Sequence, residues 1–151
     1  MYRTTTPTEI SLLQGKEKIL KAISRESYLY ERYKIPFCLA AINTENSKHF
    51  DTIKDYIRKT DILIPLSDNY ACVALASTEI TGAIKMCENF IRDHATLDQH
   101  NRIFIGVTSA EHEHINYDIV SRAFYTLEKA KENNISTVED DNILKNLKVS
   151  I

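Results

Sequence analysis

The chain has 151 residues, 43% of them apolar and 26% charged, which is enough for one ordinary core and leaves little room for a second. A formal net charge of -2, with bases scattered among acids, gives no basic field for a nucleic-acid polymer. No apolar run approaches a membrane span and the first seven residues lack an apolar signal core, so a cytoplasmic protein without a membrane partner is expected.

Residues 1–7 read as a tail, after which Thr8 can cap a helix. Leu12, Leu13, Ile19, Leu20, Ile23 and Tyr30 recur at helical spacing and carry it to about Tyr33. Pro36 stops it, and 36–42 is an apolar run short enough for a buried strand. Phe50, Ile53 and Ile57 mark a short helix finishing near Arg58. Apolar runs at 62–66 and 70–76 flank Ser67-Asp68-Asn69, residues that tolerate turn geometry, so a hairpin is predicted. Ser77 or Thr78 opens a helix with Ile80, Ala83, Ile84, Cys87 and Ile91 inward. Ile103 to Val107 is a strand. Asn116 can cap a last long helix through Ile119, Val120, Ala123, Leu127 and Ala130, with Asn133-Asn134 as a left-handed stop. Residues 135–138 read as an edge strand, and 139–151 as a short helix or a tail.

This order makes the fold class α/β in the α+β sense: a βαββαβ, ferredoxin-like core with a mainly antiparallel central sheet, an extra N-terminal helix and a C-terminal edge strand. One domain over 8–138 is expected. The three glycines, Gly15, Gly82 and Gly106, never cluster, so no phosphate-cradling glycine loop is present. Cys38, Cys72 and Cys87 lie in apolar periodic segments and read as buried, unreactive thiols. Arg58 and Asp61 stand three residues apart at a helix-to-strand junction, where a forked cation and a carboxylate can face a phosphate-bearing ligand or only each other.

With Asp61-Ile62-Leu63-Ile64-Pro65-Leu66 leading into the hairpin, Phe104-Ile105-Gly106-Val107 as a later strand, and Ala123, Leu127, Ala130 and Lys131 on the last long helix, the chain resembles the GGDEF domain family. Its members are the bacterial diguanylate cyclases, which join two GTP molecules into cyclic di-GMP. Residues 10–16 sit where the family carries its Leu-Thr-Gly-Leu-x-Asn-Arg opening. The resemblance implies the nucleotide-cyclase palm fold over nearly the whole chain.

Several positions depart from the family pattern. Where the family has Gly-Gly-Asp-Glu-Phe, this chain has Ser67-Asp68-Asn69-Tyr70-Ala71, and the metal carboxylate at the end of the first core strand becomes Asn43. Phosphoryl transfer needs cations held by hard oxygen ligands. The segment that would supply guanine-reading residues is shortened, and Ile135 stands for an Arg. The resemblance with these departures implies no enzyme, no catalytic residue, no metal and no cofactor; Lys131 is kept as a possible phosphate contact.

Arg58-Lys59-Thr60-Asp61 is similar to the family's Arg-x-x-Asp inhibitory site, which implies a cyclic di-GMP receptor using Arg58 and Asp61, with Lys85 and Arg92 standing in for a secondary Arg near Asn89. The plain alternative is that Asp61 starts a strand and Arg58 is a solvated helix-end cation. Two other functions compete with it: a ligand-free scaffold for self-association or docking to a signalling protein, and weak GTP turnover through Glu45, Asp68 and Lys131. His112 and His114 are expected to be exposed rather than metal ligands. Tyr28, Tyr30 and Tyr33 are expected to pack rather than bind, and Glu139-Asp140-Asp141 to be a solvated turn.

Overall fold

Every residue of Phe37–Thr44 is buried, as a strand covered on both faces requires. In the computed structural model, which describes residues 7–112 and 117–144 apart from the side chains of 7–14 and 143–144, this run is the central strand β1. It pairs antiparallel with β3 (Tyr70–Ala76) on one side and with β4 (Ile103–Ser109) on the other. Outside these lie β2 (Ile62–Pro65), antiparallel to β3, and β5 (Thr137–Asp140), parallel to β4. The order β2-β3-β1-β4-β5 leaves β2 and β5 as the edges. Lys18 Nζ donates to the Pro65 carbonyl at 2.7 Å on the first of these.

Among the described residues there are five α-helices: α1 (Pro7–Ala22), α2 (Ser24–Tyr33), α3 (His49–Thr52), α4 (Ile80–His94) and α5 (Ile119–Lys131). The strand period of two sorts the core into two layers. Leu39, Ala41, Cys72 and Ala74 meet Ile19 and Ile23 together with Val120, Phe124 and Leu127 of α5. Cys38, Ala40, Ile42, Val73 and Leu75 meet Ile53 and, on α4, Ala83, Cys87 and Phe90. Helices therefore cover both faces of the sheet. On the first face α5 rides directly on β4: a Cβ at Gly106 would stand 2.7 Å from the Ala123 carbonyl oxygen and 2.8 Å from the Leu127 Cα. No helix among the described residues is long and apolar enough to cross a membrane.

The structure corrects several expected boundaries. The leading helix is two helices, joined at Ile23 (φ -98, ψ 10), and Leu20 is exposed. Thr8 lies inside α1 rather than capping it; the helix begins at Pro7, whose missing N–H is tolerated in a first turn. α2 stops before Pro36 is reached, because Lys34 turns left-handed (φ 58) and its N–H caps the Tyr30 carbonyl at 2.8 Å. The short helix α3 continues as a 3-10 turn that closes at Asp55, so Arg58 is in a loop. Neither Ser77 nor Thr78 caps α4: Ser77 is left-handed (φ 49) and the Thr78 hydroxyl turns back to the Ala76 carbonyl, leaving Glu79 at the cap.

α5 is capped by Asp118, whose carboxylate accepts from Ser121 N at 2.8 Å; Asn116 lies outside the described residues. Its end is not the left-handed asparagine stop expected, since Lys34 and Ser77 alone among the described non-glycine residues have positive φ. Nor is the acidic run a solvated turn. Glu139 and Asp140 belong to β5, and Asp141 is buried, with Oδ1 2.6 Å from His112 Nδ1 and Oδ2 3.3 Å from Arg122 Nε. His112 is thus hydrogen-bonded to a buried carboxylate rather than a free surface group, while His114 lies outside the described residues.

Candidate functional site

Asp61 precedes β2, and its carboxylate does structural work. Its Oδ1 accepts from Ala76 N at 2.9 Å and its Oδ2 from Arg58 N at 2.8 Å, and the side chain is only 2% exposed. Both backbone N–H groups would otherwise be left without partners at the point where the loop meets the sheet. That bond fixes the backbone of Arg58, whose side chain is 58% exposed. The Arg58 guanidinium donates to the Ala76 carbonyl and, at 2.6 Å, to Thr78 Oγ1, and Nη2 lies 3.6 Å from Asp61 Oδ1. Arg58 therefore stands braced along the wall of a cleft of about 610 Å³, which Tyr56, Ser77, Thr78, Glu79 and Met86 also line. Tyr56 donates to Asp93 Oδ2 at 2.7 Å, a bond that raises the phenol's pKa and lowers that of the acid.

Of the four residues expected at this site, Arg58 and Asp61 come together. Lys85 and Arg92 do not line the cleft. Arg92 donates to Asn89 Oδ1 at 2.8 Å and to Asp93 Oδ1 at 3.1 Å and borders a separate cavity with Leu97 and Ile135. Sequence reasoning missed Thr78, Ser77 and Tyr56. Their convergence depends on the left-handed turn at Ser77, which carries no glycine or asparagine to announce it.

The hairpin tip and the end of β1 form a second polar region. Asn43 Nδ2 donates to the Asn69 carbonyl at 3.2 Å, and Asn69 Nδ2 donates to the Thr44 carbonyl at 2.9 Å, so the two asparagines lock strand end to turn. Ser67 and Asp68 are exposed, whereas Tyr70 and Ala71 are buried. Lys131 Nζ lies 2.7 Å from the Tyr70 hydroxyl and 3.3 Å from Glu128 Oε2. Burial pulls the Lys131 pKa down, but these two partners outweigh it and the net shift is upward. A cleft of about 430 Å³ beside this region gathers Asn43, Glu45, His100, Arg102 and Lys131. Asp68 is not in its lining.

No three His, Cys, Asp or Glu side chains gather for a metal among the described residues. All three thiols are free and buried; burial pushes Cys38 up to about 12 and raises Cys72 and Cys87 as well. Tyr30 packs against the core as expected. Tyr28 and Tyr33 instead lie exposed, with ring centroids 6.4 Å apart in an edge-to-face pair.

No protein-family model and no curated protein matches this sequence. Solved structures do. The GGDEF domain of TpbB (YfiN) from Pseudomonas aeruginosa superposes with a TM-score of 0.71 at 13% identity, over 90% of this chain and 94% of that one. The fold is that of GGDEF domains. An active GGEEF domain of a diguanylate cyclase from Vibrio cholerae gives a TM-score of 0.66 at 18% identity, over 82% of this chain and 94% of that one. The GGDEF domain of DgcB from Caulobacter crescentus, in complex with c-di-GMP, gives 0.64 at 12% identity, over 83% and 90%.

These likenesses correct the expectation that the chain is not an enzyme. The frame it shares is one that carries cyclase activity in a neighbour. Glu45 and Lys131 share the cleft at its polar end.

Proposed function

We propose that this GGDEF-fold domain is a receptor for cyclic di-GMP, with the cleft beside Arg58 as its binding site. The supporting observation is the braced guanidinium: more than half exposed, oriented by Thr78 and the Ala76 carbonyl, and walling a cleft of about 610 Å³. A planar fork held in place meets a phosphate bidentately with little further loss of freedom. DgcB, which shares the fold, is in complex with this dinucleotide. In this reading Arg58 touches the ligand, and Asp61 positions Arg58 from within the fold. Lys85 and Arg92 are not part of the site.

Titration calorimetry with cyclic di-GMP on the wild-type chain and on Arg58→Ala tests the proposal. Saturable heat in the wild type is expected, weakened about ten-fold or more by the substitution, with Arg58→Lys intermediate because the charge remains and the fork is lost. Absent heat, or the same isotherm for wild type and Arg58→Ala, would remove it.

A further inference from the structure

A cavity of about 270 Å³ opens where the last turn of α4, the residue before β4 and the residues leading into β5 meet, and it shares no lining residue with the Arg58 cleft. Its apolar lining is Ile91, Ala95, Leu97 and Ile135. Leu97 is 87% exposed and Ile135 62%, so two aliphatic side chains stand in water beside one hollow, an arrangement that gains free energy when something apolar covers it. No acid lines the cavity, whereas Arg92 and Arg102 both do. Arg92 is engaged with Asn89 and Asp93. Arg102 is partly buried and, among the described residues, has neither a hydrogen bond nor an ion pair.

A guanidinium drawn partly out of water without a counter-charge is costly, and an anion relieves that cost. The hydroxyls in the lining also have donors to give. Thr96 Oγ1 already accepts from Asp98 N at 3.3 Å and Ser136 Oγ from Ile103 N at 2.9 Å, which leaves each its hydrogen. We propose that this cavity binds a small amphiphilic anion, a carboxylate or phosphate on a short aliphatic chain, with its head on Arg102 and its chain against Ile91, Leu97 and Ile135. Cations without an acid select a negative head, and Arg92, in the last turn of α4, offsets the negative end of that helix. The volume is at the small end for ligand cavities and suits a short chain rather than a dinucleotide. Binding here does not depend on the Arg58 cleft.

The test titrates octanoate and octyl phosphate into the wild-type chain by calorimetry and methyl NMR, with acetate and 1-octanol as the head and the chain alone. Saturable binding of at least one amphiphile is expected, with methyl shifts gathered at Ile91, Leu97 and Ile135, and the tighter of the two names the head group. Arg102→Gln should weaken it about ten-fold, with Arg102→Lys between, while octanol binding stays as in wild type and shows the cavity intact. Ile135→Ala should weaken amphiphile and octanol alike, several-fold. Acetate binding as tightly as octanoate overturns the proposal in favour of a bare anion site. Shifts spread over unrelated methyls, or equal amphiphile affinity in wild type and Arg102→Gln, overturn it as adventitious binding. Failure of both amphiphiles to bind overturns it too, and a dimer in sedimentation that Ile135→Asp dissolves would then give the groove to a second copy.

Discussion

Lys131 Nζ and the Tyr70 hydroxyl, 61 residues apart in the chain, lie 2.7 Å from each other. The contact ties the last turn of α5 to the hairpin, and the ammonium also lies 5.2 Å from the centroid of the Tyr70 ring. Because the folded pKa of Lys131 is raised, this contribution is fully present below the unfolded value near 10.5 and fades as pH rises through the folded one. Tyr70→Phe should cost about 1 kcal/mol near neutral pH. In urea titrations its gap from wild type should close as the solution is made strongly alkaline; a gap unchanged by pH would mean that the lost hydroxyl, not the charge, is felt.

Asp61 and Arg58 should separate cleanly by stability. Asp61→Ala strips a buried acceptor from two backbone N–H groups and is expected to cost about 2–3 kcal/mol. Arg58→Ala, at an exposed position, should cost under about 1 kcal/mol. Urea midpoints decide this, and equal losses would contradict the buried capping role of Asp61.

The glycines give opposite predictions. Gly106→Ala would drive a methyl group into the backbone of α5 and should cost about 3 kcal/mol or more. Gly82→Ala sits on the exposed side of α4, where the new Cβ would meet only Thr78 Cγ2 at 3.6 Å, and should gain about 0.5–1 kcal/mol. Thermal unfolding midpoints moving in opposite directions would bear this out; a shared direction would not.

His49 links stability to mild acid. Burial lowers its pKa from 6.5, with the nearby His94 adding to the effect, while Nδ1 keeps a 2.7 Å bond to Thr44 Oγ1. The unfolded chain therefore takes up the proton first, and stability falls as pH drops from about 6.5 toward the folded value. His49→Gln should flatten the dependence of unfolding midpoint on pH between about 7 and 5. An undiminished slope would point to another group.

The central strands were legible because residues 37–44 and 70–76 carry apolar side chains at nearly every position, which leaves a buried strand as their only comfortable state. The same holds for the periodic faces of α4 and α5, although Phe90, fully buried, was overlooked on the first. Helix ends were less readable. Lys34 and Ser77 adopt left-handed backbone without the glycine or asparagine that signals it, and Asp118 rather than Asn116 supplies the cap to α5. At the site, Arg58 and Asp61 could be named from spacing. That Asp61 is buried and Arg58 braced by Thr78 depends on β3 returning alongside, a long-range pairing that no local pattern encodes. The burial of Asp141 against Arg122 and His112 is of the same kind: its partners come from distant parts of the chain.

The edges of the sheet bear on how the protein behaves when crowded. An open strand margin is a template on which another chain can zip. Here one margin ends in Pro65, which has no N–H to offer and whose carbonyl is occupied by Lys18, and the other carries adjacent carboxylates, Glu139 and Asp140. A second copy aligned on either would meet a missing donor or its own repeated negative charge, so fibril-like stacking through these margins is disfavoured from the outset.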